Sequence, residues 1–114
     1  NDYNLETNPS KLAALIDFVN YIEDNGQTVD GIGTQMHVTA SSITREQIDA
    51  MFKTMAATGK LVRVTELDVA LGTSSPSAEQ LATQANVYQM IFESYKANVP
   101  ESQQSGITLT LTAI

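Results

Sequence analysis

Near the middle of the chain runs Leu61-Val62-Arg63-Val64-Thr65-Glu66-Leu67-Asp68-Val69. It is rich in β-branched and apolar residues, so it reads as a strand. It ends in two acids, Glu66 and Asp68, placed two apart. On an extended chain such residues point the same way. The grammar on both sides is helical. Upstream, Thr44-Arg45-Glu46-Gln47 has capping-box spacing, with Ile43 and Ile48 as its hydrophobic staple. Ile48, Met51, Phe52 and Met55 then recur at helical spacing and Gly59 supplies the stop. A core-facing stripe is a better reading of those four than a soft binding surface. Downstream, Gly72, Thr73, Ser74, Ser75 and Pro76 form a loop, and a helix starts near Ser77, with Gln80 completing a second box. Leu81, Ala85, Tyr88, Ile91, Phe92 and Tyr95 form its expected core face, and Asn98-Val99-Pro100 ends it.

The pattern continues outward. Asn8-Pro9 reads as an N-cap with proline at the first helical position. Leu12, Leu15, Ile16, Val19 and Ile22 follow at helical spacing, and Asn25-Gly26 stops them. A short apolar stretch at 29–38 contains Gly31 and Gly33, and residues 106–114 are a last strand candidate. The reading is helices near 10–24, 44–58 and 77–97, with 29–38 and 61–69 as adjacent parallel strands. Strands alternating with helices imply βαβ units and an α/β fold. A parallel sheet normally has both faces and both edges covered. Three strands with three helices leave raw edges, so the chain is expected to be part of something larger, or to self-associate.

Composition narrows the partners. The chain has 114 residues, one domain at most, with 42% hydrophobic and 17% charged residues, an ordinary globular balance. Thirteen acidic and six basic side chains give a formal net charge of −7. That charge repels a phosphate backbone and an anionic membrane surface, so neither nucleic acid nor membrane is an expected partner. A neutral polysaccharide is indifferent to it. The absence of cysteine removes disulfides and thiolate chemistry but leaves the compartment open. No apolar run approaches the roughly 20 residues that span a bilayer. The opening Asn1-Asp2-Tyr3-Asn4 has no Met and no basic leader, and reads as the middle of a protein.

The residues with chemistry lie where the strands end, which is where parallel α/β proteins bind substrates. Gln35 and His37 are two apart, as are Glu66 and Asp68. On adjacent strands, their shared face would gather one imidazole and two carboxylates. A carboxylate there can attack an anomeric carbon and form a covalent glycosyl-enzyme intermediate. His37 can donate to Glu66 from one ring nitrogen while Asp68 holds the other, and Gln35 adds a donor. Taken singly, each feature has a plainer reading: a structural histidine, a solvated Glu-x-Asp rim. A divalent ion could use one His and two carboxylates, but nothing in the spacing demands it.

Three motifs together carry a resemblance. Asn1-Asp2-Tyr3-Asn4 resembles the segment ending the fifth barrel strand of glycoside hydrolase family 10 endo-1,4-β-xylanases. Asp30-Gly31-Ile32-Gly33-Thr34-Gln35-Met36-His37 resembles the sixth strand, and Thr65-Glu66-Leu67-Asp68 the seventh. The wording is similar to that of xylanases from gut Bacteroides-type bacteria. The resemblance implies a partial (β/α)8 TIM barrel, roughly strands 6 to 8 with intervening helices, and residues 1–114 as the C-terminal portion of the catalytic barrel. It implies Glu66 as the nucleophile, with His37 and Asp68 as its supporting network. Gln35, Asn1 and Tyr3 would line the substrate cleft. The reaction implied is retaining hydrolysis of xylan or xylo-oligosaccharides without metal or organic cofactor, by a bacterial protein that is secreted, periplasmic or at the cell surface. The family's acid/base Glu follows an Asn at the end of the fourth strand, and no Asn-Glu pair occurs in these residues. The family's eighth strand leads into a Trp, and there is no Trp. The expectation is therefore a fragment that carries the nucleophile without its partner. The alternative is a non-catalytic half-barrel that binds sugar or complements another chain.

Overall fold

In the computed structural model, which describes residues 1–110, the helices form where their caps dictate. α1 spans Pro9–Asp24, and the Asn8 side chain accepts the Lys11 amide at 3.0 Å. α2 spans Arg45–Ala56 and α3 Ala78–Asn98; both open with reciprocal capping boxes, Thr44 with Gln47 and Ser77 with Gln80. Each box satisfies two amides that the helix start leaves unpaired.

The strands are β1 (Gly31–Thr34), β2 (His37–Thr39), β3 (Leu61–Ala70) and β4 (Gln104–Leu109), all parallel. β3 is central. β1 and β2 follow one another along one edge, and β4 pairs with the opposite edge, after a single 3-10 turn at Glu101–Gln103. The strand expected over 29–38 is thus interrupted. Thr34 pairs with Val64 and His37 with Asp68, so two residues on one side face three on the other. β3 takes up the difference as a bulge, and Met36 adopts a left-handed φ of 60°. The last strand starts two residues earlier than expected, at Gln104. The part of that expectation over 111–114 lies outside the described residues.

One face of the sheet is sealed. Val62, Val64, Leu67 and Val69 are buried, as are Ile48, Met51, Phe52 and Met55 of α2. Val87, Ile91 and Tyr95 of α3 join the same core, and Leu12 and Val19 bring α1 to it. The Phe52 and Tyr95 rings meet edge to face at 5.4 Å, and the Tyr95 hydroxyl donates to the Val62 carbonyl at 2.6 Å. Asp49 of α2 accepts from Ser94 and Asn98 of α3 and from Arg45. The core face of α3 differs from the one expected. Ile91 and Tyr95 are buried, but Leu81, Ala85 and Phe92 are exposed, and Val87 and the polar Ser94 take their place. The apolar stripe through Leu81, Ala85 and Phe92 is left exposed, outside this core.

Candidate active site

The burial pattern along β3 shows how the site is made. Val62 and Val64 are buried, then Leu67 and Val69. The alternation slips by one residue between them, so Thr65 and Glu66 are both left only partly covered. The bulge lies at this slip, where the Glu66 amide donates to the Gln35 carbonyl at 3.2 Å and the Asp68 amide to the Met36 carbonyl at 3.1 Å. Glu66 and Asp68, two apart, both avoid the sealed face.

Across from them stands the junction of β1 and β2. His37 Nε2 lies 3.2 Å from Gln35 Oε1 and 3.5 Å from Glu66 Oε1. A proton on Nε2 would be donated to the Gln35 amide oxygen, with the Glu66 carboxylate at the edge of hydrogen-bonding reach. The His37 and Glu66 side chains are 40% and 43% exposed, so Glu66 keeps free lone pairs on an open surface. Asp68 stands opposite His37 in the register, yet among the described residues its carboxylate makes no side-chain hydrogen bond and does not hold the second ring nitrogen. Asp68 instead borders an open cleft of about 600 Å³ lined also by Leu71, Leu81, Gln84 and Tyr88.

The opening segment completes the site. Asp2 bridges to Thr34 in parallel, and its carbonyl accepts the Gln35 amide at 2.8 Å. This pairing sets Asn1 against β3, where its Oδ1 accepts from Thr65 Oγ1 at 3.0 Å. Gly33 leaves room for it, because a Cβ there would stand 2.9 Å from Asn1 Oδ1 and push that side chain aside. Tyr3 is about half exposed and makes its contacts with Asp2 and Lys11 rather than with the His37–Glu66 pair.

Sequence reading missed Glu6. It is 4% exposed, and its Oε2 finds no hydrogen-bond partner among the described residues. Burial pushes its carboxyl above the ordinary range, while its own backbone amide and the charges of His37 and Lys11 pull the other way. Its position just before a helix cap resembles that of a solvated acid, and only its burial distinguishes it. Among the described residues, no group of three or more His, Asp or Glu side chains stands close enough to hold a metal ion. The chemistry on offer is that of an accessible carboxylate beside an imidazole donor.

Comparison with known proteins supplies the context. The sequence profile of glycosyl hydrolase family 10 matches residues 1–110. Endo-1,4-beta-xylanase A of Thermoanaerobacterium saccharolyticum is 38% identical over 97 residues, covering 85% of this chain and 8% of its own length. Exoglucanase XynX of Acetivibrio thermocellus is 37% identical over 97 residues, covering 85% and 9%. Among solved structures, Xylanase10C from Cellvibrio japonicus in complex with xylopentaose superposes with a TM-score of 0.86 at 28% identity, covering 96% of this chain and 24% of that one. The chain therefore spans a small part of the relatives it matches, and its parallel sheet with outer helices is part of their barrel.

Proposed function

Because the chain belongs to glycosyl hydrolase family 10, we propose that it is the nucleophile-bearing part of a retaining endo-1,4-β-xylanase. Glu66 attacks the anomeric carbon and forms a glycosyl ester. His37 donates to the Glu66 carboxylate and keeps it aimed. Asp68, opposite His37, swings onto the imidazole when substrate closes the site. Apo geometry of this kind is commonly loose and tightens in the complex. Gln35 orients His37 through its amide oxygen, and Asn1 and Tyr3 line the cleft that holds the xylose chain. The observation that carries this reading is the 3.5 Å approach of His37 Nε2 to a solvent-accessible Glu66 carboxylate at the C-terminal half of a parallel strand.

Retention needs a second carboxyl about 5–5.5 Å from the first, to protonate the leaving oxygen. In this reading that acid comes from outside these residues. Losing it removes general acid catalysis worth roughly 10²–10⁴-fold. The chain alone is therefore expected to leave polymeric xylan intact. A dinitrophenyl xylobioside, whose phenolate leaves unaided, should give a burst approaching one phenolate per chain, followed by very slow turnover. Steady hydrolysis of xylan by the isolated chain would contradict the missing acid. A dinitrophenyl cellobioside run in parallel tests whether the exoglucanase-named relative is the better guide to the sugar. Polymeric xylan is met outside the cytoplasm, secreted or at the cell surface, whereas short xylo-oligosaccharides would also be met inside.

A second reading has its own observation. Leu61 and Leu109 are 42% and 48% exposed, and the outer flank of α3 exposes Leu81 and Phe92. A half-barrel that buries these surfaces against a complementing chain or a second copy would self-associate. Sedimentation as a stable monomer at micromolar concentration would remove that reading.

A further inference from the structure

Lys11 has no role in the chemistry above, yet its ammonium makes two contacts on the segment that carries Tyr3. It lies in the first turn of α1, where its amide is capped by the Asn8 side chain at 3.0 Å. Its ammonium lies 3.1 Å from Asp2 Oδ1 and 3.6 Å from the centroid of the Tyr3 ring. The same Asp2 oxygen accepts the Tyr3 amide at 2.8 Å. The Asp2 backbone is in turn fixed to the end of β1 by its bridge to Thr34. The Asp2 backbone next to Tyr3 is thus pinned by the sheet, the Tyr3 amide by the Asp2 side chain, and the Tyr3 ring by a cation anchored in a helix start. About half of the residue stays open to solvent.

An exposed ion pair on its own contributes little. The ring contact is of another kind, because an ammonium over an aromatic face fixes the ring's orientation. The Tyr3 amide, and next the Lys11 ammonium, hold the Asp2 carboxyl below the usual carboxylate range. Aromatic rings accept sugars by stacking, and a ring already fixed loses less freedom on binding.

The geometry points to Lys11 as a positioning residue that fixes the Tyr3 ring for contact with the sugar chain, from outside the cleft. This rests on Tyr3 lining the cleft, as in the function proposed above. Its signature is that the effect of Lys11 on binding passes entirely through the Tyr3 ring.

The test compares Lys11→Met, which keeps the stem without the charge, with Lys11→Arg, which keeps a cation, by NMR titration with xylopentaose. Lys11→Met should bind about two- to fivefold more weakly, the size of an exposed cation–π contact. Lys11→Arg should bind as the unaltered chain does. In a Tyr3→Leu background, Lys11→Met should have no further effect. In the free protein, the Lys11 side-chain methylenes should be shifted upfield by the ring and should lose that shift in Tyr3→Leu, a readout that needs no sugar. Losses that add in the double variant, or methylenes with no ring shift while xylopentaose still binds, would overturn the inference and leave the proposed function standing. No saturable xylopentaose binding by the unaltered chain, with the ring shift present, would overturn the cleft reading and the positioning role with it.

Discussion

β3 presents two faces that obey different rules. On one, Val62, Val64, Leu67 and Val69 are buried against α2 and α3. On the other, Leu61 is 42% exposed, and Arg63 reaches the Ser105 carbonyl at 2.8 Å and the Thr108 hydroxyl. A parallel sheet is normally covered on both sides. The sealed face is where these residues gain stability, and the open one is the interior side of a barrel of which they form a part. The site lies where the two faces exchange a residue, at the bulge between Val64 and Leu67.

Cutting one residue from each side of the sheet separates the two faces most clearly. Phe52→Ala, on the sealed side, should cost about 3–5 kcal/mol. That is a large share of the roughly 5–15 kcal/mol of a typical domain. Leu61→Ser, on the open side, should change stability by no more than about 0.5 kcal/mol. Urea midpoints of the two variants decide it. Equal losses would mean the open face is already covered in solution.

The α2–α3 seam gives a smaller effect. Asp49 accepts from Ser94, Arg45 and Asn98, and these donors, Ser94 first, hold its carboxyl below the ordinary aspartate value of 3.8. Asp49→Ala should cost about 2 kcal/mol at neutral pH, the scale of hydrogen bonds to a charged group. A group with a depressed folded pKa stabilises above its unfolded value and loses that contribution as pH falls through the folded one. The gap between the unaltered chain and Asp49→Asn should therefore be full at pH 6 and close below pH 3.8. A gap that widens on acidification would reverse the assignment.

Glu6 shows the opposite sign and the smallest effect. Burial raises its carboxyl above the ordinary glutamate value of 4.5. A raised folded pKa gives stability that is fully present below the unfolded value and is lost as pH rises through the folded one. Glu6→Gln removes the ionisation, so it should gain on the unaltered chain as pH rises above 4.5. Thermal melts of the pair across pH 4 to 8 would show this as curves that diverge with rising pH.

Much of this was legible from local chemistry. The boxes at Thr44 and Ser77 form because their partners are three residues away and need nothing tertiary. The order of helices and strands followed from periodicity, and the three motifs pointed to the family that the profile over residues 1–110 shows. What depended on neighbours was not legible. The α3 stripe of Leu81, Ala85, Tyr88 and Phe92 is a regular apolar line, but periodicity gives an angle, not the identity of the partner. Val87 and Ser94 took the core, the serine because Asp49 waits opposite it. The break at Gln35-Met36 arises from a mismatch of one residue against β3, which neither strand shows alone. At the site, the approach of His37 to Glu66 was readable from strand-end spacing. The acceptance of His37 by the Gln35 amide oxygen, the Asp68 carboxylate left without a side-chain hydrogen bond among the described residues, and the buried Glu6 depended on side-chain packing.

In the function proposed above, the open side of the bulge presents Glu66 as a nucleophile. Its most direct test is peptide mapping by mass spectrometry after brief exposure to dinitrophenyl xylobioside and acid quench. One xylobiosyl mass is expected on the peptide containing Glu66, absent in Glu66→Ala and retained in Asp68→Asn. A label on Asp68 or Glu6, or none on a chain that binds xylopentaose, would contradict it.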